Sequence, residues 1–388
     1  MDNYKDNIQK SIDKIKADLI KLSNDIHSNP ELCFEEFKAV KWLKEILKEH
    51  GFKIEDNSGG LETAFKASFK GKKPGPRVAF LAEYDALRGK GHACGHNIIA
   101  TSAVGAAIGL SKMIKDIAGE VILLGTPAEE GGGGKIILLE EGEFEDVDYA
   151  LMIHPGSINL IGRGGLAASK LVIEFKGEAA HSSSPGDGIN ALKALLEVFR
   201  GIDTLRSDFA KSTRVNGIIT EGGEASNIIP DFAAAEFTVR ATTRDDLEEV
   251  IKKIITVTEA AHILTGAVPE VKEGIIYAER YPNMKMAEQF KTNMEKLHEK
   301  MNYPDPDMNL GSSDIGNVTI KLPAIHSYLK IVEENVPAHT EKFAEAAIAP
   351  RAEEVIIKAA KGLAMTGYDI LTKPELREAI NNEFNNIR

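Results

Sequence analysis

Cysteine is scarce in this chain. Among 388 residues only Cys33 and Cys94 occur, too few for a disulfide framework. That usage suits a reducing compartment, which a metal-binding thiol also needs. Positive charge is short as well: 47 Lys and Arg stand against 59 Asp and Glu, a formal net charge of −12. No basic cluster with interleaved aromatics offsets the deficit, so neither nucleic acid nor an anionic membrane is an expected partner. No apolar run reads as long enough to span a bilayer, and Met1 to Lys21 is polar and charged, without the apolar core of a signal segment. The expected compartment is the cytoplasm.

What is present is the composition of a globular protein, 43% hydrophobic and 27% charged. The length exceeds that of a usual single domain and predicts two. The chemistry gathers first at Gly91-His92-Ala93-Cys94-Gly95-His96-Asn97. A lone cysteine or histidine is more often an ordinary core or surface residue. Here two histidines and a thiol share one Gly-rich turn, with Glu83 and Asp85 just upstream, and the group reads as a metal site.

Two further stretches repeat the pattern. Val121-Ile122-Leu123-Leu124 reads as a buried parallel strand and runs into Glu129-Glu130 and then Gly131 to Gly134. Tyr149 to Ile153 reads as another, ending at His154-Pro155-Gly156. Three successive strands thus end in metal-capable residues, and in open α/β sheets sites form at the carboxyl ends of strands. The glycine run lacks the Lys-Ser/Thr ending of a phosphate-binding loop, and its spacing is wrong for a dinucleotide fingerprint.

Periodicity supplies the frame. Ile8, Ile12, Ile15, Leu19, Leu22 and Ile26 mark one amphipathic helix over 6–26, and a second runs over 35–50. From about Leu166 the texture changes. Strands are expected at 170–175, 215–220, 233–241 and 268–277, with helices at 187–205 and 245–264. That order predicts a compact two-layer α+β unit inserted into the first domain. Boundaries are expected at 1–167, 168–282 and 283–388, the last segment closing with a long helix over 340–364.

Adjacent carboxylates such as Glu129 and Glu130 diverge, so one can bind metal while the other takes a proton from an activated water. His154, before Pro-Gly, suits a fixed ligand. His339 sits just before Thr340 and reads equally as ligand or surface residue. His181 lies inside the middle unit, and His326, in an apolar strand, reads as core.

Taken together, Glu83-Tyr84-Asp85-Ala86-Leu87, the His92 to Asn97 segment, Pro127-Ala128-Glu129-Glu130-Gly131, His154-Pro155, Ala180-His181, Ser226-Asn227-Ile228-Ile229-Pro230-Asp231 and His339-Thr340 resemble a known family. It is the metal-dependent aminoacylase/carboxypeptidase superfamily of peptidases, and within it the amidohydrolase branch of hippurate, auxin-conjugate, aminobenzoyl-glutamate hydrolase-like and dipeptidase-like enzymes. The resemblance covers nearly the whole chain. It implies a zinc-peptidase-like mixed sheet flanked by helices, with an inserted dimerisation or lid domain, and a homodimer formed through that insert. It implies two divalent metal ions, zinc first and manganese, cobalt or nickel next, held by Cys94, His96, Glu130, His154 and His339. Glu129 would be the general base, and Asp85 would orient a ligand. His181 would reach a partner subunit's site and stabilise the oxyanion. Asn227 and Arg240 would bind substrate. Asn97, Arg88 and Glu83 depart from commoner residues of the family and bear on substrate identity.

The function expected from the resemblance is metal-dependent hydrolysis of an amide bond in small N-acyl amino acids, aminobenzoyl-glutamate-like conjugates or dipeptides. The alternatives are a non-catalytic small-molecule-binding protein on the same fold and a nucleotide-binding transferase using the glycine run.

Overall fold

The computed structural model describes residues 3–305 and 311–386. In chain order the elements are α1 (Asn3–Lys14), α2 (Lys16–Ser28), α3 (Phe37–Glu49), β1 (Lys53–Asp56), β2 (Phe65–Lys70), β3 (Lys73–Ala82), α4 (His96–Ile114), β4 (Ala118–Gly125), α5 (Gly134–Glu140) and β5 (Tyr149–Gly156). There follow β6 (Ala167–Lys176), β7 (Ala180–His181), α6 (Ala191–Leu205), β8 (Arg214–Glu221), β9 (Ile228–Ile229), β10 (Phe232–Ala241), α7 (Arg244–Thr265) and β11 (Val268–Glu273). The chain ends with α8 (Met284–Lys296), α9 (Ile315–Thr319), β12 (Ala324–Lys330), α10 (Glu341–Ala346), α11 (Pro350–Thr372) and α12 (Pro374–Asn386).

Two compact units divide the chain: Met1–Gly164 with Arg280–Arg388, and Gly165–Glu279. The sequence texture places the breaks after 167 and 282; the observed ones fall after 164 and 279.

The first unit is built on a six-stranded mixed sheet of order β1-β2-β4-β3-β5-β12. β4, β3, β5 and β12 run parallel, while β1 and β2 add an antiparallel edge. Parallel strands covered on both faces read as unbroken apolar runs. Val121 to Leu124 and Val78 to Ala82 are such runs, and every one of these side chains is fully buried. The chain passes from β3 to β4 on one side and then to β5 on the other. That reversal opens a crevice at the carboxyl ends of the three strands.

α4 packs against α1, α2, α11, β3 and β4. By length and composition it could cross a membrane, but nearly all of it lies inside the core. This corrects the reading that no run is that apolar: Ile98 to Leu110 is rich in alanine and glycine, and a helix apolar on all faces is a core helix when neighbours cover it. Two other expectations fail locally. The helix over 6–26 is broken at Ile15, where φ −106° and ψ 12° leave helical geometry. The closing helix starts again at Pro350, which suits a first helical position but not a helix interior.

The second unit has an antiparallel sheet of order β11-β6-β10-β8, with α6 and α7 packed on β6 and β10. Alternate residues of β10, from Ala233 and Ala235 to Phe237, Val239 and Ala241, are buried in its core, the period of a strand with one covered face. β8 is an edge strand that leaves Ile218 and Ile219 exposed. The expected strand over 268–277 stops at Glu273, and the helix expected from 187 begins at Ala191, capped by Asn190, whose side chain accepts from Lys193 N at 3.0 Å.

Candidate active site

The turn after β3 brings its ligand-type residues to the crevice. Gly95 separates Cys94 from His96 with φ +77°, and a Cβ there would lie 2.6 Å from Pro155 Cγ. Only glycine permits both the left-handed turn and this close approach to the β5 end. His96 then opens α4 and is fully buried.

Second contacts fix which ring nitrogen faces the crevice. Asp85 Oδ1 lies 3.0 Å from His96 Nδ1; the carboxylate accepts, so Nδ1 carries the proton. His96 Nε2 is buried and has no hydrogen-bond partner among the described residues. His154 Nδ1 donates to Pro155 O at 2.6 Å, and its Nε2 lies 3.5 Å from Cys94 Sγ. His339 Nε2 lies 3.3 Å from Glu130 Oε1. The backbone at His339 is left-handed, φ +67°, and its N–H donates to Ala93 O at 2.8 Å, which ties this distant residue to the Cys94 turn.

Cys94 with His96 and His154, Cys94 with Glu130 and His339, and His96 with Glu129 and Glu130 form three overlapping groups. Within each, one ligand atom per residue lies within 4.8 Å of the others. Cys94, His96, Glu129, Glu130, His154 and His339 are therefore one contiguous cluster of metal-capable donors. Its electrostatics are those of crowded buried charge. Burial raises Glu129 well above the usual carboxylate range, and the negative charges of Glu83 and Asp314 add to the rise. Burial would raise Glu130 too, but the His339 hydrogen bond and the His96 charge hold it below its ordinary value. Burial likewise opposes ionisation of Asp85, yet the His96 pair brings it down to about 2. Burial pushes the Cys94 thiol up.

Glu83, Glu129 and Asp314 form a fourth carboxylate group, and this one already holds a cation. Fully buried Lys135 places Nζ 2.5 Å from Glu83 Oε1 and 2.8 Å from Asp314 Oδ1, and its backbone N–H donates to Asp314 Oδ2 at 3.0 Å. The glycine run thus ends in an internal ion bridge, which removes Lys135 from any phosphate-binding role. Sequence reading missed Lys135 and Asp314. The signal was a lysine inside an otherwise apolar helix start, Lys135-Ile136-Ile137-Leu138-Leu139. His326 is buried as expected, and it also lines the site. Its ring centroid is 5.4 Å from that of His154, and Arg280 Nη1 donates to its Nδ1 at 2.6 Å.

Not every candidate joins the cluster. His92 is buried beside His27, ring centroids 6.0 Å apart, and burial lowers its pKa to about 3. Asn97 is a core residue, donating to Ser23 Oγ and Ala347 O at 2.9 and 3.0 Å. His181, Asn227 and Arg240 belong to the second unit. There β7 pairs with β9, and Ser182 N donates to Asn227 O at 2.9 Å, so His181 and Asn227 are neighbours. Ser183 N donates to His181 Nδ1 at 3.2 Å, which leaves the proton of the neutral ring on Nε2. Arg240 lies on β10, opposite Ala168 and Arg214.

Comparison with known proteins places this architecture. Residues 161–263 match the peptidase dimerisation domain. Over 390 aligned residues the chain is 37% identical to the Xaa-Arg dipeptidase of Mus musculus, an alignment covering 96% of this chain and 90% of that protein. The chain belongs to the M20 family of metallopeptidases and amidohydrolases. Another M20 relative, one of the subunits of the p-aminobenzoyl-glutamate hydrolase of Escherichia coli, is 33% identical over 285 residues, 67% of this chain and 59% of that protein. A dinuclear metal-binding peptidase of the M20 family from Bacillus subtilis shares the fold, with a TM-score of 0.70 at 22% identity over 92% of this chain and 99% of that one. The mixed sheet with an inserted dimerisation domain is the M20 fold, and the activity class is hydrolysis of a peptide or amide bond.

Proposed function

We propose that the chain hydrolyses the amide bond of dipeptides or small N-acyl amino acids at a site for two divalent metal ions. Cys94, His96, Glu130, His154 and His339 would hold them. The observation that carries this reading is the contiguous donor cluster with a sixth residue, Glu129, set among other carboxylates. The donor set fits such ions: His96 Nε2 and Glu130 Oε1 are buried and lack hydrogen-bond partners among the described residues, and buried polar atoms left open in this way call for a ligand. Thiolate with imidazole suits zinc, and manganese, cobalt and nickel remain compatible with the set.

Divalent ions in such a site lower the pKa of a water molecule and polarise a carbonyl. The chain's own groups do the rest. Glu129, with its raised pKa, takes a proton from the attacking water and returns it to the leaving nitrogen. Asp85 keeps His96 in the tautomer that turns Nε2 to the cluster. His181, in the second unit, offers Nε2–H to the oxyanion of a partner chain's site, with Asn227 and Arg240 on substrate and Arg240 on its carboxylate. The segments 1–164 and 280–388 are then the catalytic domain. The segment 165–279 is the dimerisation and lid domain of a homodimer. Two unpaired cysteines suit the cytoplasm. The dipeptidase and hydrolase relatives favour small amides over proteins as substrates. A sensor without catalysis is disfavoured by the full donor set and by Glu129.

Elemental analysis beside turnover tests this reading. Purified protein should carry about two ions per chain, Cys94→Ser should carry fewer, and some member of a panel of dipeptides and N-acyl amino acids should be cleaved. Protein that takes up no metal under reducing conditions would overturn it.

A further inference from the structure

We propose that Glu36, from the connection between α2 and α3, is a positioning residue for Glu129. Its carboxyl oxygen fixes the peptide that turns the Glu129 side chain toward the donor cluster. The proposal rests on the reading of Glu129 as the base.

The loop after β4 is held at two points, on either side of Glu129. Ala128 N–H donates to Glu36 Oε1 at 2.9 Å, and Glu130 N–H donates to Asp85 Oδ2 at 2.9 Å. Ala128 has φ +59°, a left-handed conformation that an alanine adopts only where its surroundings enforce it. The Glu36 bond acts on the N–H of that same residue. If it is lost, the loop relaxes at Ala128 and the next side chain, Glu129, swings away from the cluster.

Glu36 is free for this task. It precedes α3 at the helix N-terminus, yet it makes no side-chain cap. Glu31 accepts instead from Lys38 N and Ala39 N, at 2.9 and 3.0 Å. Glu36 is fully buried, an unfavourable place for a carboxyl with only a structural role. Its neighbours brace the same loop. Phe34, itself at φ +65°, lies where a Cβ on Gly132 would meet its Cε2 at 2.4 Å. Cys33 Sγ donates to Asp85 Oδ2 at 3.5 Å. Three residues of one short connection therefore touch the loop or the carboxylate that pins it.

Burial pushes the Glu36 carboxyl up to about 7, so its neutral form is already populated near neutrality. The loop uses the acceptor oxygen and not the charge, and glutamine offers the same oxygen.

The test compares Glu36→Gln, Glu36→Asp and Glu36→Leu with Glu129→Gln in metal-loaded, full-length protein. Asp falls short of Ala128 by one methylene, and Leu has no acceptor. We expect kcat to drop by about 30-fold in the Asp and Leu variants, with KM and metal content within about twofold of the parent. We expect Gln to keep kcat within about threefold. Should Leu fail to fold, the Asp–Gln pair still decides. Equal kcat in all three would overturn the proposal, as would a Gln variant as slow as Asp, or a kcat loss that merely follows loss of metal. An active Glu129→Gln would instead overturn the base assignment, whatever the Glu36 variants do.

Discussion

Asp85 and His96 are joined by a 3.0 Å hydrogen bond from Nδ1 to Oδ1, both side chains fully buried. That bond leaves His96 Nε2 pointing to the cluster, while the other oxygen of Asp85 holds Glu130 N–H. One carboxylate thus aligns an imidazole donor and a carboxylate donor together. Replacing such an orienting carboxylate typically weakens metal binding about 10–100-fold. Asp85→Asn should show that loss in competition with a chromophoric chelator, with the fold retained. Unchanged affinity would show that Asp85 does not orient the site.

The Lys135 bridge makes a prediction about stability. Lys135, Glu83 and Asp314 are all buried, and removing one partner of a buried ion pair leaves uncompensated charge, a loss of about 3–5 kcal/mol. Lys135→Met should lower the Tm of the metal-free protein accordingly. An unchanged Tm would mean that the bridge is not formed.

Glu299 sets an acid limit. Burial works against its ionisation, but hydrogen bonds from Arg351, Lys358 and Asn159 prevail and hold it down to about 2, below the ordinary 4.5. A carboxylate depressed on folding stabilises the protein above its unfolded pKa, and that contribution is lost as pH falls toward the folded value. Glu299→Gln should therefore be less stable than the parent at pH 7, by about 2 kcal/mol. The gap should close as pH falls from about 4.5 to about 2. Denaturant melts across this range would show it; a constant gap would contradict it.

The edge strand of the second unit bears on assembly. Ile218 and Ile219 on β8 are 65% and 43% exposed, and an edge strand offers unpaired backbone groups to another chain. If the homodimer forms there, Ile218→Lys with Ile219→Lys should sediment as a monomer with its metal content intact. A variant that stays dimeric would place the interface elsewhere.

The sequence made some of this legible and hid the rest for physical reasons. Cys94, His96, Glu129, Glu130 and His154 stand at or near the ends of apolar strands, so local pattern and the rule for open sheets bring them together. His339 carries no such signal, because its place depends on a backbone bond to Ala93, far back in the chain. Lys135 meets Asp314 across 179 residues, and Glu36 meets Ala128 across 92. No spacing rule reports contacts of that range. α4 escapes notice as an apolar run because alanine and glycine dilute its pattern, and only tertiary packing shows that every face is covered. His181, Asn227 and Arg240 are named from family likeness, and their part in the chemistry still has to be tested by substitution.

The most direct measurement is single-turnover kinetics of Glu129→Gln with its metal content determined on the same sample. The account predicts about two bound ions, as in the parent, and a chemical step slowed by about 100-fold or more. A variant that keeps its metal and cleaves at nearly the parental rate would contradict the assignment of Glu129 as the base.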